Sequence, residues 1–276
     1  MEMNFALDLL DARGAIAPDS PEAEAFAQSR IRDTIMHEVG HTLGLTHNFK
    51  ASTVYTRAQL QDKEFTEKNG ISGSVMDYNG YNIAAAGERQ GSYNNTTLGP
   101  YDYWAIEYAY KPIDAADEKR ELERIAARST EPLLAFANDP DAGGVPGNDG
   151  LDPRVNRFDL GDEPLAYYRK RLQLSRELWQ RVQERKPQPG DDPTRQRRVL
   201  LSGFSPLGDA AVQVAKYVGG MYTSRDAPGA GAQAAFRPVE PARQREALQF
   251  MVGGLFSADS FRFQPQFLSA LAPDYR

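Results

Sequence analysis

Every histidine of this 276-residue chain lies within eleven residues, His37-Glu38-Val39-Gly40-His41-Thr42-Leu43-Gly44-Leu45-Thr46-His47. Offsets of 0, 4 and 10 constrain the local fold more than any other feature of the sequence. Residues four apart on an α-helix stand one above the other on the same face. His37 and His41 can therefore aim two imidazoles at one point, separated by about 6 Å of helix rise. A third ring six residues on would project elsewhere if the helix continued. Gly44 predicts the stop, because glycine takes the left-handed conformation that ends helices at little steric cost, and the chain can then fold His47 back. Three neutral imidazoles fill three corners of a tetrahedron around zinc and leave the fourth open, which marks a catalytic site rather than a structural one. The chain has no cysteine to close that corner. Glu38 faces sideways towards the ion, where a carboxylate can act as general base for zinc-activated water.

The eleven residues resemble the HExxHxxGxxH signature of metzincin metallopeptidases. Such a family also carries a methionine turn, and Ser74-Val75-Met76-Asp77-Tyr78 looks like one, 29 residues after His47. The resemblance implies that Met76 forms a hydrophobic floor under the imidazoles without bonding the metal. It also implies that Tyr78 is a candidate electrophile that stabilises the transition state. Asn48, just after the third histidine, departs from the Glu, Pro, Asp or Ser of the familiar branches. Residues 47–52, 98–106 and 152–161 make the chain similar to the Met-zincin domain of large exported bacterial zinc peptidases. The expected set is thus His37, His41 and His47 as zinc ligands, Glu38 as base and Tyr78 as electrophile, acting on peptide or protein substrates. The alternative is a non-catalytic, zinc-stabilised helical interaction module of a larger exported protein. An intact Glu38 favours the enzyme, since a clasp needs only the histidines.

A net charge of −6 argues against a nucleic-acid partner, which would demand a basic face. No apolar run is long enough for a transmembrane segment. The N-terminus lacks the basic-then-apolar pattern of a signal peptide, in conflict with an exported family, and the reconciling expectation is a piece of a longer precursor. Only 36 residues precede His37. The resemblance places a twisted sheet before the active-site helix, and most of it cannot fit, so the expected fold is mainly α (α+β in the parent), with upstream domains supplying the sheet. An apolar patch on the active-site helix should then remain uncovered.

Along the chain, the pattern predicts a short strand or helical turn at 4–10, a turn at 11–14 and the active-site helix over about 20–43, with Phe26, Ile31, Ile35 and Val39 as its buried stripe. Mixed loops with one short helix near 57–62 should follow, then a long loop over 79–100 and a helix over 101–110 packed by Trp104 and Tyr108. Two Asn-x-Thr sequons, at Asn94 and Asn95, are read as without meaning in a bacterial protein. Helices are expected over 115–129, 163–186 (with Tyr167, Leu172, Leu174 and Leu178), 194–222 with a break near Gly203, and 241–256. Arg195-Gln196-Arg197-Arg198 reads as the solvated side of a helix. Residues 138–161, with Asp139, Asp141, Asp149, Asp152 and Asp159, read as a solvated connector in preference to a calcium site, because the spacing does not match an EF-hand. The expected division is a catalytic part over 1–112 and a helical region over 113–276.

Overall fold

The computed structural model describes residues 2–143, 150–186, 192, 194–226 and 234–273. Helix α1 (Glu2–Ala12) exists because Phe5, Ala6, Leu9 and Leu10 repeat at helical spacing, and all four are buried. It closes on Gly14, whose positive φ turns the chain. Helix α2 (Pro21–Thr42) starts where expected. The Ser20 hydroxyl accepts from the Ala23 amide at 3.2 Å, Pro21 occupies the first turn, and Glu22 and Glu24 face the positive end of the helix dipole.

The face that α2 buries is not the one expected. Its inner residues are Phe26, Asp33, His37 and Gly40. Ile31, Ile35 and Val39 are 55, 56 and 49 % exposed. The reason is angular: residues two apart lie about 200° apart around a helix. Ile35 and Val39 flank His37 by two on either side, so turning His37 inward turns both outward. With Leu43, they form an exposed apolar strip along α2.

After α2 come a 3₁₀ turn (Ala51–Val54) and two short helices, α3 (Arg57–Leu60) and α4 (Lys63–Asn69), where one was expected. Thr56 and Asp62 cap them. Residues 79–99 are loop throughout. The two sequon asparagines are buried within it: Asn94 donates to Ser29 Oγ at 2.7 Å and Asn95 accepts from the Ile71 amide at 2.9 Å. Helix α5 (Pro100–Tyr110) follows. Only its first turn is buried, through Tyr101 and Asp102. Trp104 is half-buried and donates to the Ile125 carbonyl, whereas Tyr108 lies on the surface rather than packing as expected.

Beyond α5 the elements are α6 (Glu118–Ala126), α7 (Asp139–Ala142), α8 (Pro164–Glu184), α9 (Arg195–Ser202), α10 (Ser205–Ala215), α11 (Pro241–Phe250) running into a π-helical turn (Met251–Leu255), and α12 (Pro265–Ser269). Helix α8 is the axis of the bundle. Leu165, Tyr168, Leu172, Leu174, Leu178, Trp179 and Val182 are buried along it, and α1, α9, α10 and the π turn pack around it. Among the described residues the one sheet is an antiparallel pair, β1 (Met221–Thr223) with β2 (Phe236–Pro238), in the register Tyr222 opposite Arg237. The fold is mainly α. One apolar core runs from Phe5 and Phe26 through Leu60, Ile71 and Ile83 to Leu178 and Phe267, joining residues on both sides of position 112. No helix among the described residues is long and apolar enough to cross a membrane.

Candidate metal centre

The break after α2 is a Schellman turn. The Leu45 amide bonds to the Gly40 carbonyl at 3.0 Å, the Gly44 amide to the His41 carbonyl at 3.0 Å, and Gly44 holds φ at +87°. The reversal brings His47 back onto the helix. Ring centroids are 4.7 Å apart for His37 and His41, 4.8 Å for His41 and His47, and 5.4 Å for His37 and His47. One nitrogen from each ring lies within 4.8 Å of the other two, the only group of three or more His, Cys, Asp or Glu among the described residues that could hold a metal ion.

Which nitrogen faces the centre is fixed by what the other one does. His37 Nδ1 is 2.7 Å from the Val75 carbonyl, His41 Nδ1 is 2.9 Å from the Leu45 carbonyl, and His47 Nδ1 is 2.7 Å from Asp139 Oδ2. A carbonyl can only accept, so the first two Nδ1 atoms carry the proton, and the carboxylate favours the same tautomer for His47. Each ring therefore turns an Nε2 lone pair towards its neighbours. His37 Nε2 and His47 Nε2 are buried and have no hydrogen-bond partner. Orphaned buried acceptors are costly unless something binds them, and three imidazole lone pairs suit zinc. Burial, with the nearby rings of His41 and His47, holds the His37 pKa below its ordinary value against the opposing pull of Val75 and Glu38. That keeps the ring neutral, the form a metal needs.

The floor of the centre is built from the turn at residues 74–78. Met76 is fully buried, and its sulfur presses on α2 at Gly40: a Cβ placed there would lie 2.3 Å from Sδ. A side chain at Gly40 would push the Met76 thioether aside, so this glycine serves close approach rather than conformation. Asp102 of α5 holds the turn in shape, accepting from Ser74 Oγ at 2.5 Å, from the Val75 amide at 3.0 Å and from the Gly99 amide at 2.7 Å. Burial raises the Asp102 pKa even against these three donors. Val75 is the residue whose carbonyl orients His37, so Asp102 acts on that ring through one residue.

Tyr78 stands at the side. Its ring is 5.1 Å from His37, 4.7 Å from His47 and 5.3 Å from Phe49. Burial pushes its pKa up, and the Asp139 and Glu38 charges add to this, so the phenol stays protonated. Glu38 is exposed beside the histidine cluster. All five residues singled out from sequence therefore gather at one place.

Sequence reasoning missed the brackets around them. Asn48, fully buried, donates to the Ala135 carbonyl at 3.0 Å and accepts from the Ala137 amide at 3.2 Å, while its own amide bonds to the Met76 carbonyl. It stitches residues 135–137 to the methionine turn and so delivers Asp139 to His47. Arg157 donates to Asp139 Oδ1 at 3.1 Å and lies over Phe49, which stacks on His47 at 4.9 Å. Burial pushes the Asp139 pKa up, but the bonds from His47 and Arg157 outweigh it and hold the carboxyl below its ordinary value. The other acids of that stretch are also engaged: Asp141 by Arg225 at 2.6 Å, Asp152 by Arg154 at 2.7 Å, and Asp159 by Asn156 at 2.9 Å. Asp149 lies outside the described residues. The acidity of the stretch was visible, but its use by a histidine 92 positions away was not.

No curated protein and no solved structure matches the chain significantly. The profile of the Met-zincin family matches residues 19–274, taking in the histidine cluster, the methionine turn and the helical region beyond them. With a match over nearly its whole length, and a metal centre that fits zinc, the chain belongs to the Met-zincin family.

Proposed function

We propose that the chain is a zinc-dependent endopeptidase, with His37, His41 and His47 as the ligands, Glu38 as the general base and Tyr78 as the electrophile. The observation that carries this reading is the convergence of three imidazoles with Nδ1 committed elsewhere and Nε2 turned inward, beside an exposed carboxylate. Zinc held there would supply a Lewis acid that polarises the scissile carbonyl and acidifies water. The residues do the rest. Glu38 takes a proton from the attacking water and returns it to the leaving amine, so the C–N bond breaks with no net proton change. Tyr78, kept protonated, donates to the oxygen on which negative charge develops. Met76 packs beneath and keeps the floor dry.

We take residues 1–112 to carry the chemistry and residues 113–276 to brace it through Asp139 and Arg157. The exposed strip of Ile31, Ile35, Val39 and Leu43 is read as the face on which upstream segments of a longer, exported protein pack. Glu38→Gln tests the enzyme against a zinc clasp. The variant should keep about one zinc per chain while losing about 10²-fold or more in kcat/KM on a casein-derived peptide. Equal cleavage by the two proteins would remove Glu38 from the mechanism, and cleavage by neither would leave the clasp.

A further inference from the structure

Among the described residues only two non-glycines hold a positive φ, Asp19 at +58° and Phe158 at +63°. Aspartate tolerates that region through local hydrogen bonds. For a bulky aromatic it is a true outlier, because its Cβ crowds the following carbonyl. The backbone around Phe158 is held firmly: its amide donates to the Tyr78 carbonyl at 2.7 Å, and the Gly80 amide donates to the Asp159 carbonyl at 3.1 Å. Those bonds would be served as well by asparagine or glycine. Nor does the ring anchor the fold, since it belongs to neither apolar core and is 40 % exposed. It stacks on Tyr78 at 5.8 Å and 15°. Tyr78 in turn lies against His37 and His47. An unfavourable backbone is thus kept so that one half-exposed aromatic ring stands one ring removed from the histidine cluster. Strain of this kind gathers at ligand-contacting positions.

We propose that Phe158 is a specificity-determining platform that takes an aromatic side chain of a peptide bound across the three histidines. The proposal rests on the peptidase reading above. An extended peptide advances about 3.3–3.6 Å per residue. A ring beyond Tyr78 therefore meets a side chain a few residues from the scissile bond rather than the one at it. Stacking there adds directional attraction to the burial of apolar area.

The test uses fluorescein-labelled alanine-rich peptides in which one phenylalanine is moved through successive positions, with the all-alanine peptide as reference. Affinity is read by anisotropy on zinc-loaded protein carrying Glu38→Gln, so that bound peptide stays whole. At one register the phenylalanine peptide should bind about tenfold tighter than the reference, in line with an aromatic pair plus its buried area. Adding Phe158→Asn, which suits the backbone, should reduce that preference to within about twofold while zinc content and melting temperature do not fall. Equal binding of all peptides, binding of none, or a preference that survives Phe158→Asn overturns the platform. So does a lower melting temperature with zinc loss, which would make the ring structural. A preference that behaves as expected in a protein whose wild-type form cleaves nothing would leave the platform standing and remove the peptidase reading.

Discussion

The stretch from His37 to Tyr78 and the bundle around α8 are held together by different means. In the bundle, Leu165, Leu172, Leu178 and Val182 are buried along α8, which packs against α1, α9 and α10, so burial of apolar area is the largest contribution, beside polar ties such as Arg13 to Glu177 and Trp179 to the Leu200 carbonyl. Around the histidines the contacts are polar and aimed: Val75, Leu45 and Asp139 each take one Nδ1, Asp102 takes three donors, and Asn48 ties two loops. Most core positions of the first region ask only for a side chain of suitable size and hydrophobicity. The second tolerates almost no substitution of an atom's role. Stability and metal affinity should therefore respond to different residues.

The largest effect expected of a single bundle change is from Leu178→Ala. Leu178 is fully buried, and leucine-to-alanine changes of this kind cost about 2–5 kcal/mol. Urea unfolding should show that loss, while zinc affinity of the folded protein, measured by chelator competition, changes less than about twofold. A parallel fall in affinity would break the comparison, because the bundle would then be part of the site. Next in size is Asp139→Ala, which leaves the His47 ring free to rotate and should weaken zinc binding about 10- to 100-fold, as loss of a carboxylate behind a ligating histidine does. The cobalt-substituted spectrum should broaden with it, and Asp139→Glu should recover part of the affinity. Unchanged affinity would mean that His47 is oriented by Phe49 and the chain reversal alone.

The smallest effect sits on α2, ahead of the histidines. Asp33 lies on the buried face of α2, one turn before His37, and burial raises its pKa to about 6 even though Arg30 and Asn95 pull it down. The folded protein thus holds that proton longer than the unfolded chain, so stability falls as pH climbs from about 4 to about 6 and is level above. Asp33→Asn should remove this component. Relative to the parent it should gain on the order of 1 kcal/mol between pH 4 and pH 6.5 in urea midpoints, with zinc content constant. A gain that is the same at both pH values would show that Asp33 does not titrate in that window.

What could be read from sequence follows the same division. Local pattern is enough for the shared face of His37 and His41 on α2, the stop at Gly44 and the length of α8, because each is decided within a few helical turns. The outward turn of Ile35 and Val39 was within reach too, since it follows from placing His37 inward. The apolar repeat of Ile31, Ile35 and Val39 points the other way, and the inward histidine outranks it. Asp139, Asp102 and Asn48 were beyond reach for a different reason. Their partners are 92, 28 and 87 positions away, and nothing local to an aspartate or asparagine says which distant group it will face. Gly40 carried no readable sign either, since a helical glycine marks close approach only once the approaching side chain is known.

That close approach has a consequence for oxidative chemistry. Peroxide adds an oxygen to thioether sulfur, and the product is larger and polar. Met76 has no exposed surface, and its sulfur sits where even a methyl group on Gly40 would collide. With no exposed surface, the Met76 sulfur meets peroxide only when the chain around it opens. Met3, 40 % exposed on α1, needs no such opening. The two sulfur atoms are therefore a clock and its reference within one molecule: the ratio of their oxidation rates counts how often the centre breathes.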